Sequence, residues 1–146
     1  IWLGVNWAVA NLFVAIGSIL SHRFERHFGV IKSLYICLLL ITLGYTGLFL
    51  LPGTVGFLCY YFLTLERGLN YPILNSLKQN VISSENRAGM LSITNFAFRL
   101  IFAAICPVAG YLILSYGFQQ FFGISGVIFV CISLMLIMSL KKHLPE

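Results

Sequence analysis

The chain contains no aspartate, and its acidic residues are four glutamates in 146 positions. Charged residues of both signs make up 9% and hydrophobic residues 60%, with a mean hydropathy of +0.96. A soluble globular domain carries roughly 25% charge and 45–50% apolar residues, so this chain has too little polar surface to face water on all sides. The same scarcity of charge excludes a disordered chain. Cysteine is sparse: Cys37, Cys59, Cys106 and Cys131 each stand alone in an apolar run. No pair has metal or redox spacing, so they read as reduced packing residues, and neither a metal nor a cofactor is expected. Without aspartate, with His22 and His27 five apart and no Ser/His/acid set at one depth, enzyme activity is not expected. The net charge of +5 comes from cations scattered in twos and threes, without a basic stripe or nucleic-acid motif, so nucleic acid is not an expected partner. Ile1–Leu20 lacks a basic leader and a small-residue cleavage site, so it does not read as a signal peptide.

What the chain has is long apolar runs. A bilayer core about 30 Å thick needs about 20 apolar helical residues, and five stretches qualify: about 1–20, 33–51, 54–81, 87–115 and 121–140. The expected fold is an all-α polytopic membrane protein, one domain over residues 1–146, with five transmembrane helices. The connections alternate in charge. Arg23, Arg26 and Lys32, then Lys78 and Arg87, then Lys141 and Lys142 place seven of the nine cations on one side. The intervening loops, Leu51–Thr54 and Ser115–Phe118, carry none. The positive-inside rule makes the charged side cytoplasmic, so the C-terminus is expected inside the cell.

Two cations, Arg67 and Arg99, remain within spans, with Glu66 beside the first. At a rise of about 1.5 Å per residue, Glu66 and Arg67 lie roughly 18–20 Å from Thr54, and Arg99 roughly 18 Å from Arg87. All three fall near mid-membrane, where a charge costs at least about 2.5–3.5 kcal/mol and needs a cavity or a partner. Glu66, Arg67, Asn70, Tyr71 and Leu74 share one side of the third span; Ser92, Asn95, Arg99, Ala103, Cys106 and Gly110 share one side of the fourth. Two roles fit the charges: a strut tying the two spans together, or a network that binds substrate or a coupling proton. In the first span Gly4, Asn11 and Ser18 recur every seven residues. That spacing points to close helix packing for the glycine and serine, and leaves Asn11 equally suited to packing or to lining a path. The second and fifth spans lack charges and amides between Ser33 and Leu51 and between Phe121 and Leu140, and so read as lipid-facing. Pro72 and Pro107 lie inside the third and fourth spans, where a missing backbone hydrogen bond favours a kink.

The order of these features resembles the last five of the twelve helices of the major facilitator superfamily. Arg67-Gly68-Leu69-Asn70-Tyr71-Pro72, then Ser83-Ser84-Glu85-Asn86-Arg87-Ala88 and Leu91-Ser92, is similar to the passage from the tenth to the eleventh helix. Gly17 with Ser21-His22-Arg23-Phe24-Glu25-Arg26-His27-Phe28-Gly29 resembles the basic loop signature between the eighth and ninth. That signature usually has an acid where His22 stands, so its basic character is what carries over.

The resemblance covers the whole chain and implies a partial C-terminal half-bundle of a larger transporter. Its activity would be secondary active, proton-coupled transport of small solutes by alternating access. The implied partners are the lipid bilayer, a small-molecule substrate, protons and an N-terminal half of the same transporter, in a bacterial inner membrane. Glu66, Arg67, Asn70, Asn95, Arg99 and Asn11 would line the substrate and proton path. Gly17, Arg23, Glu25, Arg26 and Gly29 would form the cytoplasmic loop motif, either a latch between helices or a plain topology signal. A membrane-embedded assembly or binding subunit without transport of its own is the alternative.

Overall fold

In a computed structural model, which describes residues 2–81 and 87–143, the chain is helical apart from short turns. The helices are α1 (Trp2–Leu50), α2 (Gly53–Leu58), α3 (Tyr60–Val81), α4 (Arg87–Tyr116) and α5 (Phe118–His143). No strand occurs among the described residues. The expected all-α class is observed. The Ser83–Asn86 part of the passage between the third and fourth spans lies outside the described residues.

Helix α1 is a hairpin of two helices. Gly29 adopts φ 75°, ψ 168°, a left-handed φ that glycine reaches without a Cβ clash. The packing shows that the chain reverses there. Asn6 bonds to Tyr61, and Gly47 lies against Cys59. In a straight helix, positions 6 and 47 would be about 60 Å apart, so both can reach the start of α3 only if the chain folds back. The first segment runs parallel to α3 (position 6 beside 61, position 17 beside 68), and the second runs antiparallel (47 beside 59, 34 beside 73). The Ser33 hydroxyl donates to the Gly29 carbonyl oxygen at 2.8 Å, satisfying a backbone acceptor at the reversal.

The α1–α3 contact dominates the packing, followed by α1–α5. Glycines permit both, since close backbone approach is a main source of helix association in lipid. A Cβ on Gly17 would fall 2.5 Å from the Leu65 carbonyl oxygen. Gly123 and Gly126 of α5 seat the rings of Phe49 and Tyr45, and Tyr45 stacks on Phe129 with centroids 5.7 Å apart. Leu34, Ile73 and Ile137 form a buried cluster joined by Val30, Leu38, Leu74 and Leu140. Since these residues sit at one level, the Gly29 reversal, Lys78 and the Lys141-Lys142 tail emerge at the same end of the bundle. The uncharged turns at Pro52-Gly53 and Gly117 emerge at the other, because Phe49 meets Gly123.

Among the described residues, three stretches of continuous helix assignment are long and apolar enough to cross a membrane: Gly4–Leu50, which holds both segments of α1, Gly89–Tyr116 and Phe118–Lys142. Helix α3 falls outside that set because Glu66, Arg67, Asn70, Asn75 and Lys78 dilute its apolar content. The helix stays unbroken through Pro72 and Pro107. The chain is interrupted at Gly29 and at Cys59, where α2 gives way to α3.

Two expectations about helix faces are corrected. The face of the first segment that packs is Ala10–Gly17–Ser21, all buried, whereas Gly4, Asn11 and Ser18 are exposed. A seven-residue repeat drifts about 20° per heptad on a straight helix, and here the small-residue row misses the contact. The second segment of α1, expected to face lipid, is held between α3 and α5 with Leu34, Cys37, Gly44 and Leu48 buried. Helix α4 is the open one. It packs mainly on α5, and positions 92–108 are all exposed.

Candidate functional site

Glu66 is half-buried on α3. One helical turn later, the Asn70 amide nitrogen donates to the Glu66 carboxylate at 2.8 Å. This is the (i, i+4) pairing that a helix surface favours. The Asn70 carbonyl oxygen, Oδ1, is buried and has no partner. On the same side of α3, Leu63 lies against Gly44 and Ile73 packs with Leu34, and Glu66 is within about 60° of both around the helix. Glu66 therefore lies on the side of α3 that meets the segment the sequence pattern assigns to lipid.

The other expected path residues lie apart from this pair. Arg67, one position on and so about 100° around the helix, is exposed. Tyr71 is exposed and Leu74 half-buried. Asn95 and Arg99 are exposed on α4 together with Ser92, Ala103, Cys106 and Gly110, so that polar stripe is continuous and open. Asn11 is exposed, and its amide donates to the Trp7 carbonyl oxygen at 2.8 Å within its own helix. The structure thus joins Glu66 to Asn70, leaves Arg67 exposed on α3 and keeps Arg99 and Asn95 on α4.

A second polar contact was not anticipated from the sequence. The Tyr61 hydroxyl donates to the Asn6 side-chain oxygen at 2.9 Å, while the Tyr61 ring stacks on Phe13 with centroids 5.0 Å apart. It ties the first segment to the start of α3, on the same helix as Glu66. No spacing signal links positions 6 and 61; the Glu66–Asn70 pair, by contrast, was legible from its four-residue separation.

Of the loop-motif residues, Gly17 is buried in the α1–α3 contact, while Arg23, Arg26 and Gly29 are exposed and Glu25 is half-buried. The motif's first glycine serves helix packing and its last serves the chain reversal. Its cations stand outside, at the rim.

These features define an all-α membrane-embedded protein with a carboxyl–amide pair inside its bundle. No protein-family model, no curated protein and no solved structure matches the chain.

Proposed function

We propose that this chain is the C-terminal portion of a secondary active transporter of small solutes, resembling the major facilitator superfamily and coupled to protons through Glu66. In this reading all five helical passages cross the bilayer: the two segments of α1, then α2 with α3, then α4 and α5. The end carrying Arg23, Arg26, Lys32, Lys78, Lys141 and Lys142 is cytoplasmic, and the membrane is the inner membrane of a bacterium.

The observation that carries the reading is the Glu66–Asn70 pair at mid-membrane depth. An ionisable residue there is costly and is a functional candidate by default. Asparagine suits both states of its partner. Its NH2 donates to the carboxylate, and its oxygen, with the amide turned, accepts from the protonated acid. The unpartnered Oδ1 is the acceptor that the second state requires. The pair can therefore load and release a proton without losing its hydrogen bond.

The open polar stripe of α4, with Ser92, Asn95 and Arg99, supports the rest. Facing lipid, Arg99 would be expensive; facing a solute path against an N-terminal half, it would be solvated. In the full-length transporter, Glu66→Gln should abolish proton-coupled uptake while membrane insertion and expression persist. Unchanged coupling in that variant would end the proposal.

The open face of α4 also favours a second reading, an assembly or binding subunit whose partner covers that helix. The native size in source membranes, probed with an antibody to the Leu140–Glu146 tail, separates the two. A band well above 16.4 kDa supports the transporter; a band at that mass favours the subunit.

A further inference from the structure

At the charged end of the bundle, the last two turns of the first α1 segment border an open recess of about 530 Å³. It is lined by Leu20, Arg23, Phe24, Arg26, His27 and Phe28. At 100° per residue, Leu20, Arg23, Phe24 and His27 fall within an arc of about 100°, with Arg26 and Phe28 flanking it. Phe24 and Phe28 pack at 5.6 Å between centroids, and His27 sets its edge against Phe28 at 5.0 Å. The aromatic wall is therefore built, and the two guanidinium groups extend from it into solvent-accessible space.

We propose that this recess binds the headgroup of an anionic phospholipid. Three observations favour that occupant. The first is charge: the lining carries two arginines and no acid, while Glu25, about 140° around the helix from Leu20, lies off the recess. The second is depth. From Leu20 to His27 the helix rises about 10 Å, from the apolar span to the basic rim, so a phosphate at Arg23 and Arg26 would leave its acyl chains beside Leu20 and Phe24. The third is the wall itself. Leucine and two phenylalanines offer nothing to a free inorganic anion, but they match the glycerol and upper acyl region of a lipid. Guanidinium groups suit the phosphate because their N–H pairs match two of its oxygens at once, and juxtamembrane basic residues attract anionic headgroups. The proposal depends on membrane embedding and not on transport.

The test is native mass spectrometry of the full chain released from micelles containing equal amounts of phosphatidylglycerol and phosphatidylcholine. The expected result is retention of phosphatidylglycerol in preference to phosphatidylcholine. The double variant R23Q/R26Q should weaken phosphatidylglycerol binding about 100-fold, from about tenfold per charge-assisted hydrogen bond lost, whereas K141Q/K142Q, which removes as much charge from the same end, should weaken it far less. Equal retention of both lipids by the unaltered chain would overturn the proposal whether or not the variants fold. So would an equal loss in K141Q/K142Q, which would mark a general charge effect. Displacement of phosphatidylglycerol by inorganic phosphate at matching concentration would also overturn it, in favour of a free-anion site.

Discussion

Gly17 and Gly68 meet backbone to backbone. A Cβ on Gly17 would lie 3.0 Å from the Gly68 Cα, and a Cβ on Gly68 would collide with the Val14 carbonyl. This crossing sets the position of the residues beside it, Glu66 and Asn70 included, because the contact between the first α1 segment and α3 leaves no slack for rotation.

Valine at either position therefore separates the two helices. Gly17→Val or Gly68→Val should cost about 1–3 kcal/mol, the usual range for overpacking, measured by thermal or denaturant unfolding in detergent. Gly4→Val is the control, since a Cβ there meets nothing within 4 Å.

The reversal at Gly29 makes a separate prediction. With φ at 75° and ψ at 168°, Gly29 occupies backbone space open essentially to glycine alone, where a side chain costs about 1–3 kcal/mol. Gly29→Ala should lower stability by that amount, and Gly29→Asn by as much, because this ψ lies far from the left-handed helical region that asparagine tolerates. Gly89→Ala, in a helix with open space around the added Cβ, should be neutral or stabilising by up to about 1 kcal/mol. Unfolding of the three variants side by side checks the order.

The carboxyl–amide pair makes its own prediction about folding. Glu66→Gln keeps an acceptor for the Asn70 amide, so unfolding stability should stay close to that of the unaltered chain. Asn70→Leu strands the half-buried carboxyl and should cost about 1–3 kcal/mol. Equal stability of both variants would show that the 2.8 Å bond contributes little to the fold.

Tyr61→Phe keeps the stack on Phe13 but removes the hydroxyl that reaches Asn6. The loss should be about 0.5–1.5 kcal/mol, and Asn6→Leu in the same background should add less than it costs alone. A double-mutant cycle by denaturant unfolding reads that coupling.

The cysteines report helix environment. Cys37 is buried, while Cys106 and Cys131 are exposed. If the α4 stripe lines a water-filled path, a membrane-impermeant thiol reagent modifies Cys106 in membranes and spares Cys37 and Cys131. Site-by-site mass spectrometry of the labelled peptides provides the readout, and equal protection of Cys106 and Cys131 would place the α4 stripe in lipid.

Composition and charge spacing alone determined that this protein is helical and membrane-embedded, because a chain with 9% charged residues cannot cover itself with polar surface. They also located the reversals, since Pro52-Gly53 and Gly117 interrupt apolar runs, and they picked out Glu66 as a charge at membrane depth. Its hydrogen bond to Asn70 was within reach of the same reasoning, being a contact between successive turns of one helix.

Tertiary structure decided which faces meet. Apolar content does not distinguish a helix face that touches lipid from one that touches another helix, because both neighbours are equally apolar. The second segment of α1 therefore read as peripheral, yet it lies between α3 and α5. The Gly4–Asn11–Ser18 row read as a packing face, yet the contact runs along Ala10, Gly17 and Ser21. What fixes such choices is steric fit, glycine against backbone at Gly17 and Gly68 and ring against glycine at Tyr45 and Gly126, and fit between distant residues has no period in the sequence.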